Sequence, residues 1–67
     1  MLDERALRGK IIEKGFSTAE ISKHLNINPS TFYRKAKNNT FTVADIDKMI
    51  GILGLIKADV IRIFFYR

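Results

Sequence analysis

A chain of 67 residues makes one domain, 1–67, near the lower limit for folding without disulfides, metals or a partner chain. With no cysteine, a lone histidine at position 24 and no apolar run approaching a bilayer span, the composition argues against a disulfide framework, a zinc or other metal site and a membrane helix. The net charge of +5 is uneven, because residues 17 to 40 hold Lys23, Arg34, Lys35 and Lys37 against Glu20 alone, which points to a polyanion partner. No basic segment followed by an apolar one opens the sequence, so a soluble, cytoplasmic protein is expected.

Leu7, Ile11 and Ile12 stand at helical spacing and Gly15 supplies a residue for the stop, which predicts helix 1 over about 3–14. The next segment, Phe16-Ser17-Thr18-Ala19-Glu20-Ile21, is a helix start. Ser17 is the N-cap, Glu20 completes a capping box, and Phe16 staples onto Ile21, predicting helix 2 over about 18–25. Ile27-Asn28-Pro29-Ser30-Thr31-Phe32 repeats the staple, with an Asn cap and proline at the first helical position, where its missing N–H costs nothing. Helix 3 is predicted over about 29–37. Phe41-Thr42-Val43-Ala44-Asp45-Ile46 opens helix 4, about 43–53, which ends at Gly54. A weaker start, Leu55-Ile56-Lys57-Ala58-Asp59-Val60, has isoleucine at the cap position, so helix 5 at about 57–65 is expected to fray more readily.

The fold class is therefore all-α, five short helices around one shared core. Its expected members include Leu7, Ile11, Ile21, Leu25, Phe32, Ala36, Met49, Leu53, Leu55, Val60 and Phe64, with Phe16, Ile27, Phe41, Ile46 and Ile50. Only Asn26, Ile27 and Asn28 separate Leu25 from Pro29, a turn of the length that joins the two helices of a helix-turn-helix over about 18–37. Asn26 falls where the chain must pass through a left-handed conformation, which asparagine tolerates best after glycine. Small Ser22 lets helix 3 cross helix 2 closely, and Ile27 plugs the corner.

Ile21, Ser22, Leu25, Ile27 and Phe32, at this spacing between Ser17 and Lys37, resemble the phage Cro and CI repressor class of Xre-type helix-turn-helix regulators with a lambda-repressor-like fold. Arg8-Gly9-Lys10-Ile11-Ile12, Ser30-Thr31-Phe32-Tyr33-Arg34-Lys35, Phe41-Thr42, Ile52-Leu53-Gly54-Leu55 and Ile63-Phe64-Phe65 are similar to small regulators from phages and prophages of Gram-positive bacteria, so the likeness covers nearly the whole chain. Asn26 stands where that family usually has glycine, Ala36-Lys37-Asn38 replaces a larger apolar residue followed by Asn-Gly, and Ile56 stands where it has a Ser-like cap.

The resemblance implies that helix 3 is the recognition helix. Helical spacing agrees independently: at about 100° per residue, Phe32 and Ala36 point one way and Ser30, Thr31, Arg34 and Lys37 the other. A helix entering a DNA major groove N-terminus first would show base edges to Asn28, Pro29, Ser30, Thr31 and Arg34. Arg34 could fork onto guanine, and Pro29 and the Thr31 methyl could pack on thymine methyls. The expected backbone contacts are Ser17, Thr18, Lys23, Tyr33, Lys37, Asn38 and Asn39. Ser17, Asn28 and Thr42 are helix caps first, His24 is a solvated surface residue, and no acid-base pair or Ser-His-carboxylate set is spaced for catalysis.

The last apolar run, Val60-Ile61-Arg62-Ile63-Phe64-Phe65-Tyr66, exceeds one buried stripe, leaving Ile61, Phe65 and Tyr66 over. A dimerisation element at 56–67 follows as an expectation, with a homodimer presenting two recognition helices one DNA turn apart; a C-terminal strand pairing across the dimer is the alternative. The expected function is transcriptional regulation, most simply repression, by binding operator duplex DNA, with no cofactor, membrane surface or small-molecule ligand. Length favours the Cro type, an isolated CI DNA-binding domain being its look-alike. The alternative class is a protein-interaction module of the same fold, an antirepressor or antitoxin-like adaptor.

Overall fold

Short polar side chains placed just ahead of apolar stripes decide where this chain becomes helical, since each can replace an acceptor that the first backbone N–H groups lack. The computed structural model describes residues 2–65. They form five helices, α1 (Glu4–Glu13), α2 (Thr18–His24), α3 (Pro29–Asn38), α4 (Val43–Leu53) and α5 (Lys57–Phe64), with no strand among the described residues. Each boundary lies within one residue of the sequence expectation. The C-terminal run is helical over Lys57–Phe64, against the alternative of a strand there.

The predicted caps form. Ser17 Oγ accepts the Glu20 N–H at 3.1 Å while Glu20 Oε1 accepts the Ser17 N–H at 2.9 Å. Thr42 and Asp45 reciprocate in the same way, both at 3.0 Å. Asn28 Oδ1 accepts the Thr31 N–H at 2.8 Å, with Pro29 at the first turn of α3. A further cap went unnoticed in the sequence: Asp3 Oδ1 accepts the Ala6 N–H at 3.0 Å and starts α1. At α5 only half of a box exists, because Ile56 has no acceptor and the Asp59 carboxylate alone holds the Ile56 N–H, at 3.2 Å.

The turn between α2 and α3 takes the expected left-handed step at Asn26, where φ is 62°. Its N–H reaches back to Lys23 O and the Ile27 N–H to Ser22 O, both at 3.0 Å, so the last carbonyls of α2 are satisfied as the chain reverses. Asn39 closes α3 with a second left-handed residue, φ 54°, and Gly54 closes α4 at φ 60°. Ser22 is fully buried and donates its hydroxyl to Thr18 O at 2.7 Å, which removes the cost of a polar group in the place where α2 packs on α3.

Leu7, Ile11, Ile21, Leu25, Phe32, Ala36, Met49, Leu53, Leu55 and Phe64 make the expected core. Around it Phe16, Ile27, Phe41, Ile46 and Ile50 are partly buried. Two members were not anticipated. Leu2 is buried, and the Asp3 N–H bonds to Ile63 O at 2.6 Å, strapping the N-terminal segment onto the end of α5. Ile63 is fully buried beside Phe64 in α5, and Val60, expected in the core, is only half-buried. Two ion pairs tie different helices: Lys35 to Asp45 at 3.2 Å, joining α3 to the start of α4, and Lys10 to Asp59 at 3.3 Å, joining α1 to α5.

Candidate nucleic-acid interface

The outer face of α3 is built by the two residues that anchor its inner face. Phe32 and Ala36 are buried at i and i+4, and Phe32 meets the Phe41 ring at a centroid distance of 5.3 Å. This rotation exposes Asn28, Pro29, Ser30, Tyr33, Arg34, Lys37 and Asn38, together with Asn39 at the C-cap. Thr31 is half-buried, so of the five base-contact candidates it offers least surface. Asn28 spends its side-chain oxygen on the cap, which leaves only its amide N–H₂ for another partner.

At the start of α2, Ser17 is exposed and Thr18 half-buried. The capping box consumes the Ser17 N–H and brings the Glu20 carboxylate to this end of the helix. What remains for an anion is the Ser17 hydroxyl hydrogen and the N–H groups of Thr18 and Ala19, which bond to no acceptor among the described residues. Lys23 is exposed on the same helix. His24, also exposed, stands edge-on to Phe16 at 6.1 Å between ring centroids.

The charges divide by role. Asp3, Glu20, Asp45 and Asp59 hold backbone N–H groups at helix starts, Glu4 pairs with Arg8, and Glu13 with Lys10. Asp47 alone among the acids has no such partner among the described residues. Of the cations between residues 17 and 40, Lys35 is withdrawn into its pair with Asp45, a link the sequence did not reveal. Lys23, Arg34 and Lys37 make no ion pair among the described residues. Elsewhere, a groove between α1 and α5 is lined by Arg5, Lys10 and Arg62 but equally by Asp3, Glu13 and Asp59, so it holds no excess of either sign.

Titration follows these contacts. Burial pushes the Asp45 carboxyl upward, but the Thr42 N–H and the Lys35 ammonium together outweigh it and hold it below the ordinary carboxylate value. The Ile56 N–H, with Lys10, does the same for Asp59. Glu13, with help from Asp59, raises Lys10 against its desolvation.

Of the apolar surplus at the C-terminus, Ile61 is exposed on α5 and Phe65 is exposed just past its end, while Tyr66 lies outside the described residues. No helix among the described residues is long and apolar enough to cross a membrane. Arg8 on α1, to which the sequence reading gave no role, has its guanidinium 5.9 Å from the centroid of the Tyr33 ring. No protein-family model, curated protein or solved structure matches this chain.

Proposed function

We propose that this chain is a sequence-specific regulator that binds duplex DNA, entering the major groove with the N-terminal half of α3, in the manner of the Cro-type phage repressors that its sequence resembles. The observation that carries this reading is the set of exposed cations that make no ion pair among the described residues, Lys23 on α2 and Arg34 and Lys37 on α3, on either side of a three-residue turn. Arg34 is the reader of a base edge, with Asn28, Pro29 and Ser30 beside it and Thr31 contributing its exposed part. Ser17, Thr18, Lys23, Tyr33, Lys37, Asn38 and Asn39 are assigned to phosphates.

Operator binding in this reading uses two copies. Among the described residues Ile61 and Phe65 offer only a small exposed apolar area, well under the ~1,200 Å² total that stable interfaces bury, so the homodimer is weak and assembles on DNA. The exposed apolar side chains also favour a second reading, a protein-binding adaptor. Salt separates the two, because phosphate contacts lose affinity steeply as salt rises and apolar contacts do not. The direct test is selection of bound sites from random duplexes, followed by Arg34→Ala: specific affinity should fall by about 1–3 kcal/mol with the fold unchanged. Specific affinity that survives the substitution rejects Arg34 as the reader.

A further inference from the structure

We infer that α1 extends the DNA-facing surface through Arg8, which Tyr33 holds beside α3 and which Glu4 keeps paired until a phosphate displaces it. This rests on the duplex-binding reading of α3. The guanidinium of Arg8 stands 5.9 Å from the Tyr33 ring centroid and its Nη1 is 3.5 Å from Glu4 Oε1. The Tyr33 ring stands edge-on to the buried Phe32 at 6.3 Å, and its exposed part borders the outer face of α3. A cation drawn to a ring face keeps its N–H donors for an anion, and guanidinium presents them in the planar fork that suits a phosphate.

The Glu4 contact is of the kind that yields easily. Both side chains are substantially exposed, 52% for Arg8 and 38% for Glu4, so water and salt already weaken the pair. Lys10, two residues further along the same helix, differs: it is only 19% exposed and is held by Glu13 and Asp59. Arg8 is thus the cation of α1 that stands beside α3 and has a replaceable partner. Glu4 acts as an internal competitor that lowers affinity for every duplex alike, since a phosphate contact carries no sequence information.

The test uses the full chain and a mixed-sequence duplex of about 20 base pairs, with affinity measured by fluorescence anisotropy from about 50 to about 200 mM salt. Arg8→Gln should weaken binding several-fold and reduce the slope of log affinity against log salt by about 0.9, one phosphate contact. Glu4→Gln should strengthen binding about two- to three-fold without lowering that slope. In the Arg8→Gln background the Glu4→Gln gain should largely vanish, whereas two charges acting independently through the overall field would give the same gain in both backgrounds. An Arg8→Gln slope equal to the parent's overturns the proposal, as does an undiminished Glu4→Gln gain in the double variant. Both results leave the α3 reading standing if the parent slope is steep. A parent protein whose duplex binding ignores salt overturns that reading and the proposal with it.

Discussion

Asp45 joins the folding of α4 to the seating of α3, and replacing it with alanine tests whether that join carries energy. Its Oδ2 accepts the Thr42 N–H at 3.0 Å and the Lys35 ammonium at 3.2 Å, with the two side chains of the pair only 14% and 25% exposed. Losing the reciprocal half of the capping box costs about 0.7 kcal/mol. Losing a charged hydrogen bond in a partly buried place costs about 2 kcal/mol. Alanine returns about 0.5 kcal/mol in helix propensity, so Asp45→Ala should destabilise by about 2 kcal/mol, or roughly 8–16 °C in melting temperature for a domain of this size. Urea unfolding followed by circular dichroism measures it. The sign with pH is fixed by the direction of the shift: the folded carboxyl titrates below its unfolded value of about 3.9, so the stabilisation is full above that value and is lost as pH falls through the folded one. The gap between parent and variant should therefore be widest near neutral pH and narrow as the pH falls below the unfolded carboxylate value. A cycle with Lys35→Met should show coupling of about 1 kcal/mol. Equal stability near neutral pH, or strict additivity in the cycle, would refute the strut and return Lys35 to the pool of free cations.

Two other expectations concern the turn and the α5 patch. Asn26→Ala should cost about 1 kcal/mol, because alanine gains nothing locally to offset a φ of 62°, while Asn26→Gly should cost nothing; thermal melts of the pair would show it. Ile61→Lys with Phe65→Lys should leave the melting temperature nearly unchanged, since both side chains are exposed. The same pair of changes should convert two-copy binding on a duplex with two half-sites into one-copy binding by sedimentation, and retained two-copy binding would place the dimer elsewhere.

The features legible in the sequence are those whose partners lie within four residues. Ser17 with Glu20, Asn28 ahead of Pro29, and Thr42 with Asp45 are pairs fixed by the geometry of a single helical turn, so their spacing gives both the boundary and the bond. The exposed face of α3 follows from Phe32 and Ala36 by rotation alone. Where the partner is remote, no local signal exists. Lys35 and Asp45 belong to different helices, as do Arg8 and Tyr33, and nothing in either neighbourhood announces the other. In α5 the failure is of another kind. Apolar residues at 60, 61, 63, 64 and 65 exceed one buried stripe, and the stripe used is Val60, Ile63 and Phe64, with Ile63 and Phe64 the deeper members at the end where Leu2 is buried and the Asp3 N–H takes Ile63 O.

The same local rule that makes the helices legible also shapes the field around them. An acid at a helix start accepts a backbone N–H and sits favourably in the positive end of the helix dipole, so Asp3, Glu20, Asp45 and Asp59 are drawn to helix starts. Helix ends have the opposite preference and collect cations, with Lys23 in the last turn of α2 and Lys35 and Lys37 in that of α3. Asp45 then removes Lys35, and the remaining cations of these two helices, Lys23, Arg34 and Lys37, make no ion pair among the described residues. Capping commits Asp3, Glu20, Asp45 and Asp59 to backbone N–H groups, so the steps that stabilise five short helices go together with uncompensated positive charge on α2 and α3, the charge on which binding to a polyanion depends.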